Sequence, residues 1–188
     1  MKKRKILFII LLIYGLIYFI SDYNRSFKSI NDVLYNEEGS SNFMQINQII
    51  GGSEYGRKAF YFFLNKENQI VGVRLDKGIF GWKFDGSSTG TGLEIDIEQK
   101  LSMASTGASN DSNKFYFGLT SFDNLEKIII NDIHQATLIN LKDSLTDVKD
   151  VPNTYLWYGY FKEESSDYVV EVFDKQNNLI YRDTIAQE

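Results

Sequence analysis

The feature that most constrains this chain is an uninterrupted apolar run near its N-terminus, residues 6–20, which read ILFIILLIYGLIYFI. These fifteen positions contain no charge and follow a basic cluster, KKRK, at residues 2–5. As a helix the run is about 22 Å long, and extending it to Tyr23 gives about 27 Å, against a hydrocarbon core of roughly 30 Å. Because no polar face interrupts the run, the sequence predicts a membrane-spanning helix rather than a buried core helix.

Two interpretations of this segment stay open. A cleaved signal peptide has the same basic start and an apolar stretch of similar length. Its cleavage site requires small residues, whereas residues 18–23 read YFISDY, without an A-x-A pattern. The sequence therefore favours an uncleaved anchor in the lipid bilayer over residues 6–23. Basic flanks remain cytoplasmic, so we expect residues 1–5 inside and the following chain outside, in a single-pass protein of the cell membrane.

The remainder of the chain is predicted to form one β domain. We expect a juxtamembrane segment at residues 24–42, with one or two helical turns capped by Ser29, and an extracytoplasmic domain at residues 43–188. Aromatic residues make up 15% of the chain and there is a single proline, a composition that favours strands. About ten short strand signals separated by turn residues predict an all-β, sandwich-like fold of antiparallel sheets.

Hairpins are the clearest local predictions within this domain. In the first hairpin Asn68 suits a left-handed turn position. Residues 155–161 form a strongly aromatic strand candidate, and the small, polar residues 86–92 read as a loop. The predicted strand pairs are residues 58–64 with 69–75, residues 127–130 with 134–139, and residues 168–173 with 179–182.

Charge and composition exclude several classes of function. The basic cluster supplies four of the 20 basic residues, so the remainder has 16 basic against 25 acidic residues, a net charge of −9. A domain of that sign repels nucleic acid and anionic lipid headgroups. There is no cysteine, which excludes disulfides, thiolate metal sites and a cysteine nucleophile.

A resemblance arises at residues 77–83, KGIFGWK, which are followed by the Gly/Ser run at 86–92. Together with the C-terminal hairpin around residues 174–181, this segment resembles short, membrane-anchored, extracytoplasmic β-domain proteins of Gram-positive bacteria. The likeness covers residues 55–92 and 115–183 loosely. It implies the same location and β architecture, and it implies no activity and no site residues, because the matching features are turns and strands.

Candidate chemistry in the chain is sparse. The single histidine, His134, lies beside a predicted turn and is interpreted as a turn residue rather than as a catalytic base. Glu94, Asp96 and Glu98 share one face of a predicted strand, about 7 Å apart by the strand rise. They are the weak metal candidates, as Ca²⁺ ligands, or an acid–base pair for a cell-wall hydrolase, although a solvated outer face has the same pattern. No catalytic residue and no cofactor are predicted.

Aromatic side chains are the remaining candidates for ligand binding. Trp82, Trp157, Tyr158 and Tyr160 would form either an exposed platform for a sugar or protein partner, or core packing between sheets. Adjacent strand residues point to opposite faces, so one of Trp157 and Tyr158 is expected to lie outside or under a loop. The leading hypothesis is a non-catalytic interaction module at the cell surface with a protein or cell-wall partner. The alternatives are a carboxylate-dependent hydrolase and an immunity or structural membrane protein.

Overall fold

The N-terminal run is a single long helix in the computed structural model. Helix α1 spans Lys2–Asn24, 23 residues and about 34 Å at the rise of an α-helix. Its segment Lys5–Asn24 is long and apolar enough to cross a membrane, and none of that segment is buried inside the protein. The predicted apolar N-terminal helix is therefore confirmed. The structure describes residues 2–35, 45–84, 93–94, 100–106, 113–146, 148, 151–162 and 167–186.

A second, short helix follows α1 directly and packs on the β domain. Helix α2 spans Ile30–Leu34, and Ser29 caps it through a capping box with Asp32, as the sequence indicated. Ile30, Val33 and Leu34 are buried against the first sheet. The one or two helical turns expected in the juxtamembrane segment are thus present, and they contribute to the hydrophobic core.

Thirteen described strands form three antiparallel sheets. Sheet A has the order β1-β2-β3-β4, with β5 also paired to β3. Sheet B has the order β10-β11-β7-β6, and sheet C the order β13-β12-β8-β9. The strands are β1 Ile46–Tyr55, β2 Lys58–Asn65, β3 Gln69–Lys77, β4 Trp82–Phe84, β5 Leu93–Glu94, β6 Ala104–Thr106, β7 Asn113–Thr120, β8 Leu125–Ile130, β9 His134–Gln135, β10 Thr137–Asn140, β11 Tyr155–Lys162, β12 Asp167–Asp174 and β13 Leu179–Ala186, and the short helix α3 spans Leu141–Ser144.

Sheet B lies between the other two sheets, which explains its aromatic strands. Along β11, Leu156 and Tyr158 enter a core shared with sheet A, while Trp157 enters a core shared with sheet C. A third core lies between the outer face of sheet A and α2. The strands of sheet B bury side chains on both faces, so the alternation of residues between faces does not appear as an alternation of apolar with polar residues.

The local turn predictions are confirmed, but one predicted strand is divided. Asn68 adopts a left-handed φ of 61° between β2 and β3, and Asn177 does so, at 64°, between β12 and β13. Residues 134–139 were expected to be one strand. Instead β9 pairs with β8 in sheet C, and beyond the buried Ala136 the chain enters sheet B as β10.

Candidate functional site

The aromatic residues predicted as an exposed platform mostly lie in the core. The exposed fractions of Trp82, Trp157 and Tyr158 are 4%, 0% and 2%, and Tyr160 is half-buried. Trp82 belongs to the core under α2, whereas Trp157 and Tyr158 lie on opposite faces of sheet B. The expectation that one of the latter two lies outside or under a loop was wrong, because sheet B is covered on both faces by other sheets. The core-packing interpretation describes these residues.

Two of these tyrosines fix contacts between sheets through their hydroxyl groups. The hydroxyls of Tyr158 and of Ser53 on β1 are 2.8 Å apart and hydrogen-bonded. The Lys58 ammonium donates to the Tyr160 hydroxyl at 3.3 Å. Both contacts join sheet B to the β1–β2 hairpin, so these side chains position the hairpin.

The predicted metal candidates do not assemble into a described site. Glu94 lies on β5 opposite Gln69, whereas Asp96 and Glu98 fall outside the described residues. Within the described ranges, no group of three His, Asp or Glu side chains is placed to hold a metal ion. His134 is half-buried at the start of β9, opposite Ile130, so it is a strand residue that directly follows the predicted turn rather than a residue of the turn itself.

The most distinctive contact in the described structure is between the end of α1 and the β domain. The ring of Phe80 packs edge-on against Phe19 and Tyr23, with centroid distances of 4.5 and 5.3 Å. Lys83 forms a salt bridge with Asp22, the residue between these two aromatic contacts. Three side chains near the end of α1 therefore meet two side chains of residues 77–83, a segment we call the latch.

Backbone hydrogen bonds extend the latch contact beyond α1. The amide of Phe27 donates to the Trp82 carbonyl at 2.8 Å, and the Trp82 amide donates to the Phe27 carbonyl at 2.8 Å. Gly81 makes this close approach feasible, because a Cβ there would stand 2.1 Å from the Phe27 carbonyl oxygen. Its φ of 137° is also a conformation that side-chain-bearing residues rarely adopt. Glycine is therefore required at position 81 both by the backbone conformation and by the lack of room for a Cβ.

A basic pocket adjoins the latch. It has a volume of about 320 Å³ and is lined by four cationic side chains and one carboxylate, with Gly78 completing the wall. The Nε atom of Arg57 donates to the Lys77 carbonyl at 3.0 Å, which ties the β1–β2 turn to the end of β3. The Lys77 ammonium lies 5.0 Å from the Trp82 ring centroid, over its face. The charged lining residues are Arg57, Lys58, Lys77, Lys83 and Asp76.

A tyrosine on the same hairpin adds no negative charge near this pocket. Tyr55 is the antiparallel partner of Lys58. Burial, followed by the neighbouring Tyr158, raises the pKa of Tyr55 above its usual value of 10.0. The phenol therefore remains neutral at physiological pH, and the cations on this side of the domain are not offset by a phenolate.

Sequence reasoning identified residues 77–83 only as a resemblance and missed their role. The signal available in the sequence was a pair of large apolar residues, Ile79 and Phe80, in a turn between two glycines, with lysines on both sides. Such a tip suits a membrane interface, where apolar groups enter the bilayer and lysines remain at the headgroups. The contact with Asp22 was not visible, because it joins residues 61 positions apart in the chain.

Comparisons with known proteins found no match to this chain. A scan against models of protein families gave no match, and neither did searches of curated proteins and of solved structures. The structure defines the class of this protein by its architecture, an apolar N-terminal helix that the latch joins to three antiparallel sheets. The resemblance to Gram-positive membrane-anchored proteins stays a prediction.

Proposed function

We propose that this chain is a single-pass membrane protein whose sandwich-like β domain is held against the outer face of the bilayer as a non-catalytic interaction module. The observation that carries the proposal is the packing of Phe80 and Lys83 against the last two turns of α1. A signal peptide leaves the mature protein, so a domain would gain nothing from a folded contact with one. The latch supports an anchor that is retained.

The contact also bears on how the domain is carried. A flexible linker would let the domain move freely above the bilayer, whereas the latch and the Phe27–Trp82 backbone pair join it directly to the helix. Aromatic side chains at Phe19, Tyr23 and Phe80 form the kind of belt that fixes a helix at the membrane–water interface. The domain is then presented in one orientation, which suits recognition of a partner at the surface.

The absence of cysteine allows a direct test of the proposed topology. Single cysteines at Lys3 and at Lys175, the latter exposed in the β12–β13 turn, can be treated on intact cells with a membrane-impermeant maleimide. We expect labelling at position 175 alone, labelling of both after lysis, and a full-length chain that resists alkaline extraction from membranes. A shortened, soluble product, or labelling at position 3 in intact cells, would contradict the proposal.

The proposed partner, a protein or cell-wall component, calls for a separate experiment. Ile133, in the β8–β9 turn, and Leu179, at the start of β13, expose large apolar side chains at sheet C, which is separated from sheet A by sheet B. A photo-crosslinking amino acid at either position should yield a discrete adduct of higher mass in cells, whereas the same probe at the exposed Glu67 should not. Failure at both positions, in a chain with the correct topology, would argue against a partner on this face.

A further inference from the structure

We propose that the basic pocket beside the latch binds the phosphate group of an anionic lipid headgroup, in the leaflet that the β domain faces. This inference rests on the membrane location proposed above. The pocket brings together the cations of Arg57, Lys58, Lys77 and Lys83. Guanidinium and ammonium groups are the side chains that recognise phosphate, by charge-assisted hydrogen bonds.

The local charge differs from that of the whole domain. Beyond the basic cluster the chain has a net charge of −9, which on average repels anionic lipids. In the pocket, four cations face one lining carboxylate, Asp76, and one paired carboxylate, Asp22. The local excess is therefore positive, and it lies next to the helix that would enter the bilayer.

The position of the pocket follows from contacts already described. A Cβ on Gly78, a wall residue, would lie 3.4 Å from an Asp22 carboxylate oxygen, and Lys83 reaches the same side chain. Asp22 is only two residues beyond the apolar run, so the pocket lies at the height where headgroups begin. Ile79, 84% exposed at the tip of the latch, would enter the interface beside it.

The dimensions of the pocket agree with this ligand. Its volume of about 320 Å³ is at the lower end of the range for small-molecule sites. Arg57, in the β1–β2 turn, donates its Nε hydrogen bond to the backbone carbonyl of Lys77 at the end of β3, so these two cationic residues are held side by side. A phosphodiester held between them would keep its acyl chains directed towards the bilayer, alongside α1.

The test uses the full chain in a mild detergent, with native mass spectrometry to count the lipids retained. Phosphatidylglycerol and phosphatidylcholine are added in turn at equal concentration. We expect preferential retention of phosphatidylglycerol. The double variant Arg57→Gln/Lys77→Gln should lower this preference by up to roughly 30-fold, from about fivefold for each cation near an anionic surface.

A matched pair of substitutions controls for the loss of charge. Lys66→Gln/Lys175→Gln also removes two positive charges, from exposed turns outside the pocket, and should retain the wild-type preference. Thermal unfolding of both double variants shows that each is folded. Lys77→Arg, which keeps the cation, should bind the lipid as the wild type does, whereas Lys77→Gln should bind it less. Equal losses in the two double variants, or no lipid preference in the wild type, would overturn the proposal.

Two further measurements separate the ligand source and the anchor. Inorganic phosphate at millimolar concentration should compete weakly with lipid, since it lacks the acyl chains; binding of phosphate without any lipid preference would overturn the lipid assignment. Both double variants should still resist alkaline extraction from membranes through α1. A pocket variant that loses lipid but stays in the membrane shows that the pocket acts separately from the anchor, whereas loss of wild-type membrane association would refute the proposed location instead.

Discussion

The ring of Phe80, at the tip of the latch, meets the ring of Phe19 edge-on, with centroids 4.5 Å apart and planes at 90°. Phe19 belongs to the apolar run, and Phe80 belongs to the β domain. Edge-to-face aromatic pairs contribute about 0.5–1.5 kcal/mol beyond their buried area. This pair therefore connects the helix that would cross the bilayer to the sheets that would stand above it.

Replacing Phe80 by alanine should loosen the helix from the domain. The substitution removes the contacts with both Phe19 and Tyr23, about 1–3 kcal/mol for two aromatic pairs. Hydrogen exchange of the Phe27 and Trp82 amides, which bond to each other's carbonyls, should accelerate. Ile79→Ala, in the same turn but at an exposed position, is the control and should leave both rates unchanged; equal exchange in the two variants would show that the rings carry no coupling.

Gly81→Ala should destabilise the latch by about 1–3 kcal/mol, the usual cost of forcing a residue into a disfavoured backbone region. The added Cβ would also collide with the Phe27 carbonyl oxygen. Gly78→Ala is the matched control, because a Cβ there meets nothing closer than 3.4 Å. Chemical unfolding of the two variants in detergent measures the difference, and equal stabilities would contradict the described backbone pair.

Trp157→Ala should cost about 3–5 kcal/mol of folding free energy, as large aromatic truncations in cores do. The reason is that Trp157 is completely buried between sheets B and C. Ile133→Ala, at a site 67% exposed, should change stability by less than about 0.5 kcal/mol. If the Trp157→Ala variant had wild-type stability, Trp157 would not be a core residue, and the exposed-platform interpretation would apply to it instead.

The β12–β13 turn should carry an acid-dependent part of the stability. Hydrogen bonds from the Asn178 amide and side chain lower the pKa of Asp174 below its usual 3.8; desolvation opposes them in part, and the Gln176 amide adds a smaller lowering. A lowered folded-state pKa gives stabilisation that is present above pH 4 and lost as the pH falls through that lower value.

The melting temperature lost in Asp174→Ala should therefore shrink as the pH is lowered below 4. Lys175→Ala, in the same turn, removes no carboxylate, and its effect should not follow this acid titration. A deficit in Asp174→Ala that stays constant down to the lowest accessible pH would show that the turn does not depend on the ionised carboxylate.

Local patterns in the sequence predicted the helices and hairpins because they depend on neighbouring residues. The uncharged run predicts α1, Ser29 predicts the start of α2, and Asn68 predicts the first hairpin turn. These signals lie within a few positions of the structure they specify. The turn predicted between residues 127–130 and 134–139 is local in the same way, and Asn131 there has a left-handed φ of 52°.

The layering and the candidate site depend on contacts between distant residues, which periodicity does not encode. A strand period of two shows that Trp157 and Tyr158 face opposite sides, but it does not show that a second and a third sheet cover both. Likewise, Ala136 carries no signal that the chain leaves sheet C there. The Lys83–Asp22 contact joins strand β4 to the end of α1, and only the folded chain brings them together.

The most direct test of the latch at the membrane surface is the depth of its tip in lipid. A single cysteine replacing Ile79 can be labelled with an environment-sensitive nitrobenzoxadiazole probe in the full chain reconstituted into liposomes, with Lys175→Cys as the distal comparison. Position 79 should give blue-shifted emission that shallow spin-labelled lipids quench and aqueous iodide does not, whereas position 175 should show the reverse. Equal quenching by iodide at the two positions would contradict a domain held against the bilayer by its latch.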